Sequence, residues 1–447
     1  MVKHILRVGG ILVLLAIGVV VYLAWPDKAR LPIAAVEGKR PQISEPRRQV
    51  LPTVKVADVV GWKAGEMPTA PAGLKVQPFA TGLDHPRWLY RLPNGDVLVA
   101  ETNSPPREGG GITGWVMGKL LGKAGAGGPS PNRITLLRDA DGDGVAEMRS
   151  VFMTGLNSPF GMTLLGDQLY IADTDALVRV PYTLGDVKIT AKPEKVIALP
   201  GGGNHWARNV IAAPDGKSLY VSVGSSSNIA DNGIDAEKNR ANILEYNAET
   251  KETRIYGAGL RNPNGMAINP VTAELWTVVN ERDMLGSDLA PDYLTQVELG
   301  DHFGWPWYYW GGYPDTRVEP KNPALQEYSK RPDYALGPHV AALGLAFSND
   351  VKLGGRFGSG AFIGEHGSWN RSPVSGYKVA FVPFAANGFP ASGAKPVDVL
   401  TGFLDAKGQA QGRPVGVIAD RTGAMLVADD VGNVIWRVSG AQNVAAR

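Results

Sequence analysis

Residues 259–268 read Gly259-Leu260-Arg261-Asn262-Pro263-Asn264-Gly265-Met266-Ala267-Ile268, and after a turn comes the strand-like Leu275-Trp276-Thr277-Val278-Val279-Asn280. An entry carrying Pro or Gly, a β-rich stretch, a turn and a second apolar strand make a grammar that recurs along the chain. Six entries share it: His85-Pro86-Arg87-Trp88, Ser158-Pro159-Phe160-Gly161, His205-Trp206-Ala207-Arg208, Arg261 to Gly265, Ala342-Leu343-Gly344-Leu345 and Arg413-Pro414-Val415-Gly416. Their second strands are VLVAET, LYIADT, LYVSVG, LWTVVN, AFIGEH and MLVADD, with Asn94-Gly95 and Asp215-Gly216 supplying hairpin turns. Each unit is roughly 50–80 residues, the size of a four-stranded propeller blade with insertions.

Four entries follow an apolar strand that ends in a small residue, Gly and an apolar residue: Thr81-Gly82-Leu83, Thr154-Gly155-Leu156, Ala258-Gly259-Leu260 and Thr401-Gly402-Phe403. These read as the outer strand of one blade and its crossing to the next. The last unit, Val415 to Val438, shows three strands, whereas an outer strand, Leu74 to Ala80, precedes any blade. Pairing that strand into the last blade completes it and closes the ring without an open edge. The expectation is an all-β, six-bladed β-propeller over residues 71–440; two β-sandwiches are the rival, and they leave the matched entries unexplained.

The 447 residues carry 45 Lys+Arg against 43 Asp+Glu, a net charge of +2 that argues against a nucleic-acid partner. With no Cys there is no disulfide, thiolate metal site or thiol nucleophile, so chemistry falls to His, carboxylates, Arg, hydroxyls or a cofactor. Fifty-six Gly and 33 Pro suit tight turns rather than helices. Lys3, His4 and Arg7 precede an apolar run from Val8 to Trp25, which reads as a transmembrane signal-anchor over residues 1–25, a cleaved signal being the rival. Its charge bias places the rest on the periplasmic side of the inner membrane. Residues 26–70 are Pro-rich and read as a tether.

In a propeller the entry loops open at one face, so distant residues converge there. The entries hold His85, Arg87, His205, Arg208, Arg261, Asn262, His339 and Arg413, a concentration of cations suited to an anionic ligand; inter-blade salt bridges are the alternative use for any one Arg. Asp139-Ala140-Asp141-Gly142-Asp143-Gly144 opens like a calcium loop but has Ser150 at the twelfth position, so a structural calcium at Asp139, Asp141 and Asp143, with Glu147 closing it, and a plain Asp-Gly turn both stay open. The aromatic run Trp305 to Trp310 suits either sugar stacking or inter-blade packing. The insertion Ser104 to Pro131 reads as a lid or a short amphipathic segment.

The ordered motifs Gly259 to Gly265, Asn280-Glu281-Arg282-Asp283 and Phe303-Gly304-Trp305-Pro306, with Asn204-His205 and Pro338-His339 in their blades, resemble the glucose/sorbosone dehydrogenase family of pyrroloquinoline quinone (PQQ)-dependent soluble sugar dehydrogenases, and within it the L-sorbosone dehydrogenase branch. The resemblance runs from about Leu74 to Val438. It implies oxidation of an aldose or aldehyde sugar by hydride transfer to PQQ, with electrons passed to a respiratory quinone or cytochrome. It implies His205 as base, Arg261 stabilising charge on the quinone oxygen, and Asn262 bonded to the cofactor. It implies Ca²⁺ held largely by backbone carbonyls around Glu281, Arg282 and Asp283. The pattern departs in three places. Arg413-Pro414-Val415 keeps one Arg of an Arg-x-Arg, Gly367 stands where a Lys is usual with Arg371 or His366 as replacements, and Asn157-Ser158 stand for a Gln amide. The implied cofactor contacts are therefore Asn262, Arg208, Arg371, Arg413 and Asn157. A calcium-dependent propeller lactonase and a non-catalytic binding propeller are the competing readings.

Overall fold

Glycine at the blade entries sets how tightly the innermost strands meet. A Cβ on Gly265 would run into the backbone of Leu343 and Leu345 in the next blade at 2.6 and 2.9 Å, and one on Gly416 would meet the Arg87 carbonyl at 2.9 Å. Gly161 and Gly344 face the neighbouring blade's backbone in the same way. At these four entries Gly is thus a close-approach residue that lets neighbouring inner strands pack closely.

The computed structural model describes residues 14, 15, 18, 26–47, 53–106, 118, 119 and 122–440. Their sheets are six antiparallel blades whose inner strands are Pro86–Arg91, Met162–Leu165, Arg208–Ala212, Pro263–Ile268, Ala342–Phe347 and Pro414–Ala419, and one two-stranded sheet pairing Tyr308–Tyr309 with Tyr313–Pro314. The third blade adds a two-residue parallel strand, Asp301–His302, on its outer edge. The N-terminal strand Lys75–Thr81 pairs antiparallel with Val434–Ser439 as the outer strand of the sixth blade, the expected ring closure. Strand residues alternate between blades, so the core lies as layers between them: Leu98, Leu136 and Phe160 between the first two, Trp276 and Phe347 between the fourth and fifth. Each such side chain, once buried, contributes about 1.5–3 kcal/mol.

Most of the expected membrane anchor over residues 1–25 lies outside the described residues. Among the described ones no helix is long and apolar enough to cross a membrane. Residues 26–47 and 53–70 form almost no regular structure, as their proline content predicts, yet they do not behave as a free tether. Asp27 is buried, accepts the Ser287 N–H at 2.6 Å and an Arg47 N–H at 2.6 Å, and its own N–H donates to Thr53 Oγ1 at 2.8 Å. Further along, Gly38 bridges Ala335, Trp62 donates to Asp429 at 2.7 Å, and Thr69 bridges Thr401. The segment is a strap laid across the fourth, fifth and sixth blades.

Candidate functional site

Antiparallel strands alternate direction, so the entry loops and the connections from second to third strands emerge at the same end of the ring. Between them lies a cavity of about 390 Å³, lined by His205, Arg261, Asn262, Asp283, His366 and Arg413 among others. The first-to-second and third-to-fourth turns lie at the opposite end.

His205 presents one nitrogen to this cavity. Its Nδ1 is 2.9 Å from the Ser225 carbonyl and 3.0 Å from Ser225 Oγ. A carbonyl only accepts, so Nδ1 carries the hydrogen and Nε2 is a bare acceptor with no partner among the described residues. Burial, then Arg261, pushes the imidazole down to about 3, which keeps it neutral. Arg208, expected at the cofactor, lies elsewhere: it is fully buried and donates to the carbonyls of His205 at 2.7 Å and Pro200 at 2.7 Å. It holds the loop that carries His205.

Arg261 is fixed from three sides. It donates to Asp283 Oδ2 at 2.8 Å, to the Glu281 carbonyl at 2.8 Å, and to Asn228 Oδ1 and O at 3.0 and 3.2 Å. Asn228 also accepts the Asp283 N–H at 2.8 Å and the Trp305 indole N–H at 3.0 Å. Asp283 in turn accepts from Asn370 at 2.7 Å and faces His339 Nδ1 at 3.5 Å. Burial opposes its ionisation, but Arg261 and His339 overcome that and hold its carboxyl well below the usual range. Burial works against the charged form of His339 as well, and Asp283 outweighs it and raises the imidazole. Asn228 and Asn370 sit on connections between second and third strands, outside the entry pattern; only the polarity of Ser225-Ser226-Ser227-Asn228 marks the first in sequence.

Across the cavity, Arg413 donates to the carbonyls of His366 at 3.0 Å and Gly367 at 2.9 Å, and stands over the Tyr377 ring. No carboxylate pairs with it among the described residues, so its charge is available to an anion. Asn262 Oδ1 is buried without a hydrogen-bond donor among the described residues. His85 and Arg87, by contrast, point to Asp430 in the sixth blade, with Arg87 at 2.6 Å, and His366 meets the same carboxylate at 2.8 Å. Asp283 and Asp430, both held against burial well below the usual carboxylate range by neighbouring cations, offset the expected cationic funnel. Glu281 is pushed up to about 8 and Asp292 to about 6, each by burial that nearby Arg261 or His339 only partly counters.

The remaining expected contacts fall outside this cavity. Asn157 is exposed, with its N–H on Asp173 at 3.1 Å. Arg371 points away, to the Ser287 and Pro373 carbonyls at 2.9 and 2.8 Å. The Arg282 side chain pairs with Asp315 at 2.5 Å, both buried. The carbonyls of Glu281 and Asp283, expected on calcium, accept from Arg261 and from Asn228 at 3.1 Å, so that wall offers carboxyls more than free carbonyls. Asp139, Asp141, Asp143 and Glu147 do bring ligand atoms within 4.8 Å of one another, mostly exposed, in a turn at the opposite face. The aromatic run resolves as packing: Trp305 and Trp310 are buried, and Trp310 meets Tyr293 edge to face. Ala124 and Ala126, from the described end of the long insertion, reach the cavity rim.

The model of the TrAA12-like family matches residues 68–296 and 292–441. An uncharacterized protein of Borreliella burgdorferi is 30% identical over 294 residues, 63% of this chain and 76% of its own. The aldose sugar dehydrogenase YliI of Escherichia coli is 24% identical over 302 residues, 64% of this chain and 76% of its own. The PQQ-dependent pyranose dehydrogenase of Coprinopsis cinerea is 25% identical over 434 residues, 82% of this chain and 54% of its own length. The solved holo PQQ domain of the Coprinopsis cinerea pyranose dehydrogenase shares the fold, with a TM-score of 0.66 at 19% identity over 86% of this chain and all of that domain. The cavity at the entry face, the closed six-bladed ring and the length of the family match lead to one conclusion: the chain belongs to the TrAA12-like group of the PQQ-dependent soluble sugar dehydrogenase family.

Proposed function

We propose that the cavity oxidises an aldose or aldehyde sugar with PQQ as cofactor. The observation that carries this reading is His205, a neutral imidazole whose bare Nε2 faces the same cavity as the immobilised Arg261. Oxidation of a sugar carbon separates a hydroxyl proton from a hydride. His205 Nε2 takes the proton, and its Nδ1–H bond to Ser225 steadies the imidazolium that forms. Bound PQQ supplies the hydride acceptor. Arg261, held by Asp283 and Asn228, offers positive charge where an oxygen gains electrons.

The residues present suit such a cofactor. Arg413 has charge without a carboxylate partner, and Asn262 Oδ1 is an orphaned acceptor beside His205, since a Cβ on Gly224 would collide with both. The reading includes Ca²⁺ on the acidic wall near Glu281, Asp283 and Asp292, where buried carboxyls are under-compensated. It also includes transfer of electrons to a respiratory quinone or cytochrome, from a position on the periplasmic side of the inner membrane held by the N-terminal segment. Titrating the full apo-chain with PQQ and Ca²⁺, then assaying dye reduction with glucose, other aldoses and sorbosone, tests it. Saturable PQQ binding with sugar-dependent reduction supports the reading. Absence of both overturns it, and hydrolysis of a sugar lactone by the same preparation would favour a lactonase.

A further inference from the structure

The connection between the second and third strands of the third blade, residues 224–241, carries the groups that hold both His205 and Arg261. Its first polar residues, Ser225-Ser226-Ser227-Asn228, are stitched to Arg261 at each end. The Ser225 N–H donates to the Arg261 carbonyl at 2.8 Å, and Asn228 accepts the Arg261 guanidinium through Oδ1 and its carbonyl at 3.0 and 3.2 Å. Ser225 also sets His205. Its hydroxyl hydrogen is spent on the Ser227 carbonyl at 2.7 Å, so both oxygens that it turns to His205 Nδ1 are acceptors. The Ser226 carbonyl adds a bond from the N–H of Asn204, the residue before His205, at 2.7 Å.

A run of short polar side chains offers its own backbone many alternative hydrogen bonds. One carboxylate selects among them. Glu237, buried at the end of the short 3₁₀ helix Ile234–Glu237, accepts the Ser226 N–H at 2.8 Å, the Ser226 hydroxyl at 2.6 Å and the Ser227 hydroxyl at 3.3 Å. Arg240, the cation whose charged form Glu237 favours, donates through Nη2 to the Gly201 carbonyl, so the carboxylate is left to the serines. Charge-assisted bonds of this kind are stronger than neutral ones, and three of them on one carboxylate fix the loop. Glu237 does not line the central cavity, so any effect on the chemistry there passes through other residues.

We propose that Glu237 is a positioning residue for the central cavity, holding loop 225–228 so that His205 keeps Nε2 bare and Arg261 keeps its orientation, a role that rests on the sugar-oxidising reading of that cavity. Without the carboxylate, the Ser226 N–H and the two hydroxyls turn to other partners. A rotated Ser225 peptide takes its carbonyl away from Nδ1, and the imidazole hydrogen is then free to move to Nε2, where it blocks proton uptake. The same change loosens Asn228 on Arg261. Glutamine should keep the loop in place, because its Oε1 accepts the Ser226 N–H while its Nε2–H donates to hydroxyls that can reverse.

Imidazole nitrogen NMR spectra of the full chain without added PQQ, with the His205 signals assigned by their loss in His205→Ala, read the tautomer directly. Near neutral pH the wild type should show a protonated Nδ1 and a bare Nε2. The two signals should move toward a common average in Glu237→Ala and stay in place in Glu237→Gln. With PQQ and sugar present, kcat of dye reduction should fall about tenfold or more in Glu237→Ala while KM stays within about threefold, and Glu237→Gln should keep at least about a third of the wild-type kcat. Circular dichroism and Tm establish that each variant is folded. If Glu237→Ala does not fold, Ser226→Ala removes one of the same bonds from the other side and should move the same signals in the same direction. Unmoved His205 signals in the folded variant, a kcat within about threefold of wild type in Glu237→Ala, or a loss in Glu237→Gln as deep as in Glu237→Ala overturns the proposal. If the wild type oxidises no sugar, the spectra still decide whether Glu237 sets His205, so the two readings fail separately.

Discussion

Asp430→Asn separates two uses that an entry arginine can have. Asp430 is 1% exposed and accepts from Arg87 at 2.6 Å and His366 at 2.8 Å, with His85 facing it at 3.6 Å, and the Arg87 pair joins the last blade to the first where the ring closes. Asparagine keeps the shape and removes the charge, so the buried Arg87 guanidinium loses its counter-ion. Breaking a buried pair from one side costs about 3–5 kcal/mol. Arg87 keeps its positions 5.9 Å from the Phe160 ring and 5.6 Å from the Trp206 ring, which persist in the variant and offset part of this. The expected net loss is about 2–4 kcal/mol, and with an unfolding entropy near 2.1 cal/mol/K per residue over roughly 370 propeller residues, Tm should fall by about 3–5 °C. Urea unfolding followed by tryptophan fluorescence near neutral pH measures it. The double variant Asp430→Asn, Arg87→Met removes both charges and should recover at least about half of the loss. A single-variant loss under about 0.5 kcal/mol, or no recovery in the double variant, would refute the idea that Arg87 serves ring closure.

Three further outcomes follow from the site and the fifth blade. His205→Ala should abolish sugar-dependent dye reduction while PQQ affinity, read by fluorescence titration, stays within about threefold; equal loss of both would make His205 a structural residue. Arg413→Lys keeps the charge but loses the planar fork, so the PQQ dissociation constant should rise about tenfold or more, and an unchanged constant would remove Arg413 from the cofactor contacts. Glu365 ends the buried second strand of the fifth blade, where burial raises its carboxyl, and Glu365→Gln carries a pH signature. The raised carboxyl pKa favours the folded state fully below the unfolded value and loses that contribution as pH rises to about 8, so the variant should gain on the wild type between pH 5 and 8. The gain is bounded by about 1.4 kcal/mol per pH unit, and a wild type that holds its advantage at pH 8 would show that Glu365 is ionised in the fold.

The ring was legible because its cause is local and repeated. Alternating strands and turn residues recur six times, Gly stands at four of the entries, and a lone strand at Lys75–Thr81 has no blade but the last to join. The strap was not legible, since a Pro-rich segment looks the same whether it is solvated or bonded. Its attachment depends on single groups such as Asp27 meeting Ser287, 260 residues away. The candidate site was legible in part. His205, Arg261, Asn262 and Arg413 do converge, whereas Arg208, Arg371 and Asn157 belong to other surroundings.

Arg208 and Arg261 show why. Both stand at the entry to an innermost strand, and in sequence they are the same kind of signal. The difference lies in what each guanidinium meets: carbonyls beneath the His205 loop in one case, Asp283 and Asn228 at the cavity wall in the other. Sequence by itself determined the number of blades, the closing strand and the face at which chemistry can gather, because these follow from periodicity and chain direction. Tertiary structure alone decided which cations keep their charge for a ligand. That outcome depends on the carboxylates and carbonyls that other loops bring within hydrogen-bond reach, and their separations in sequence carry no trace of it.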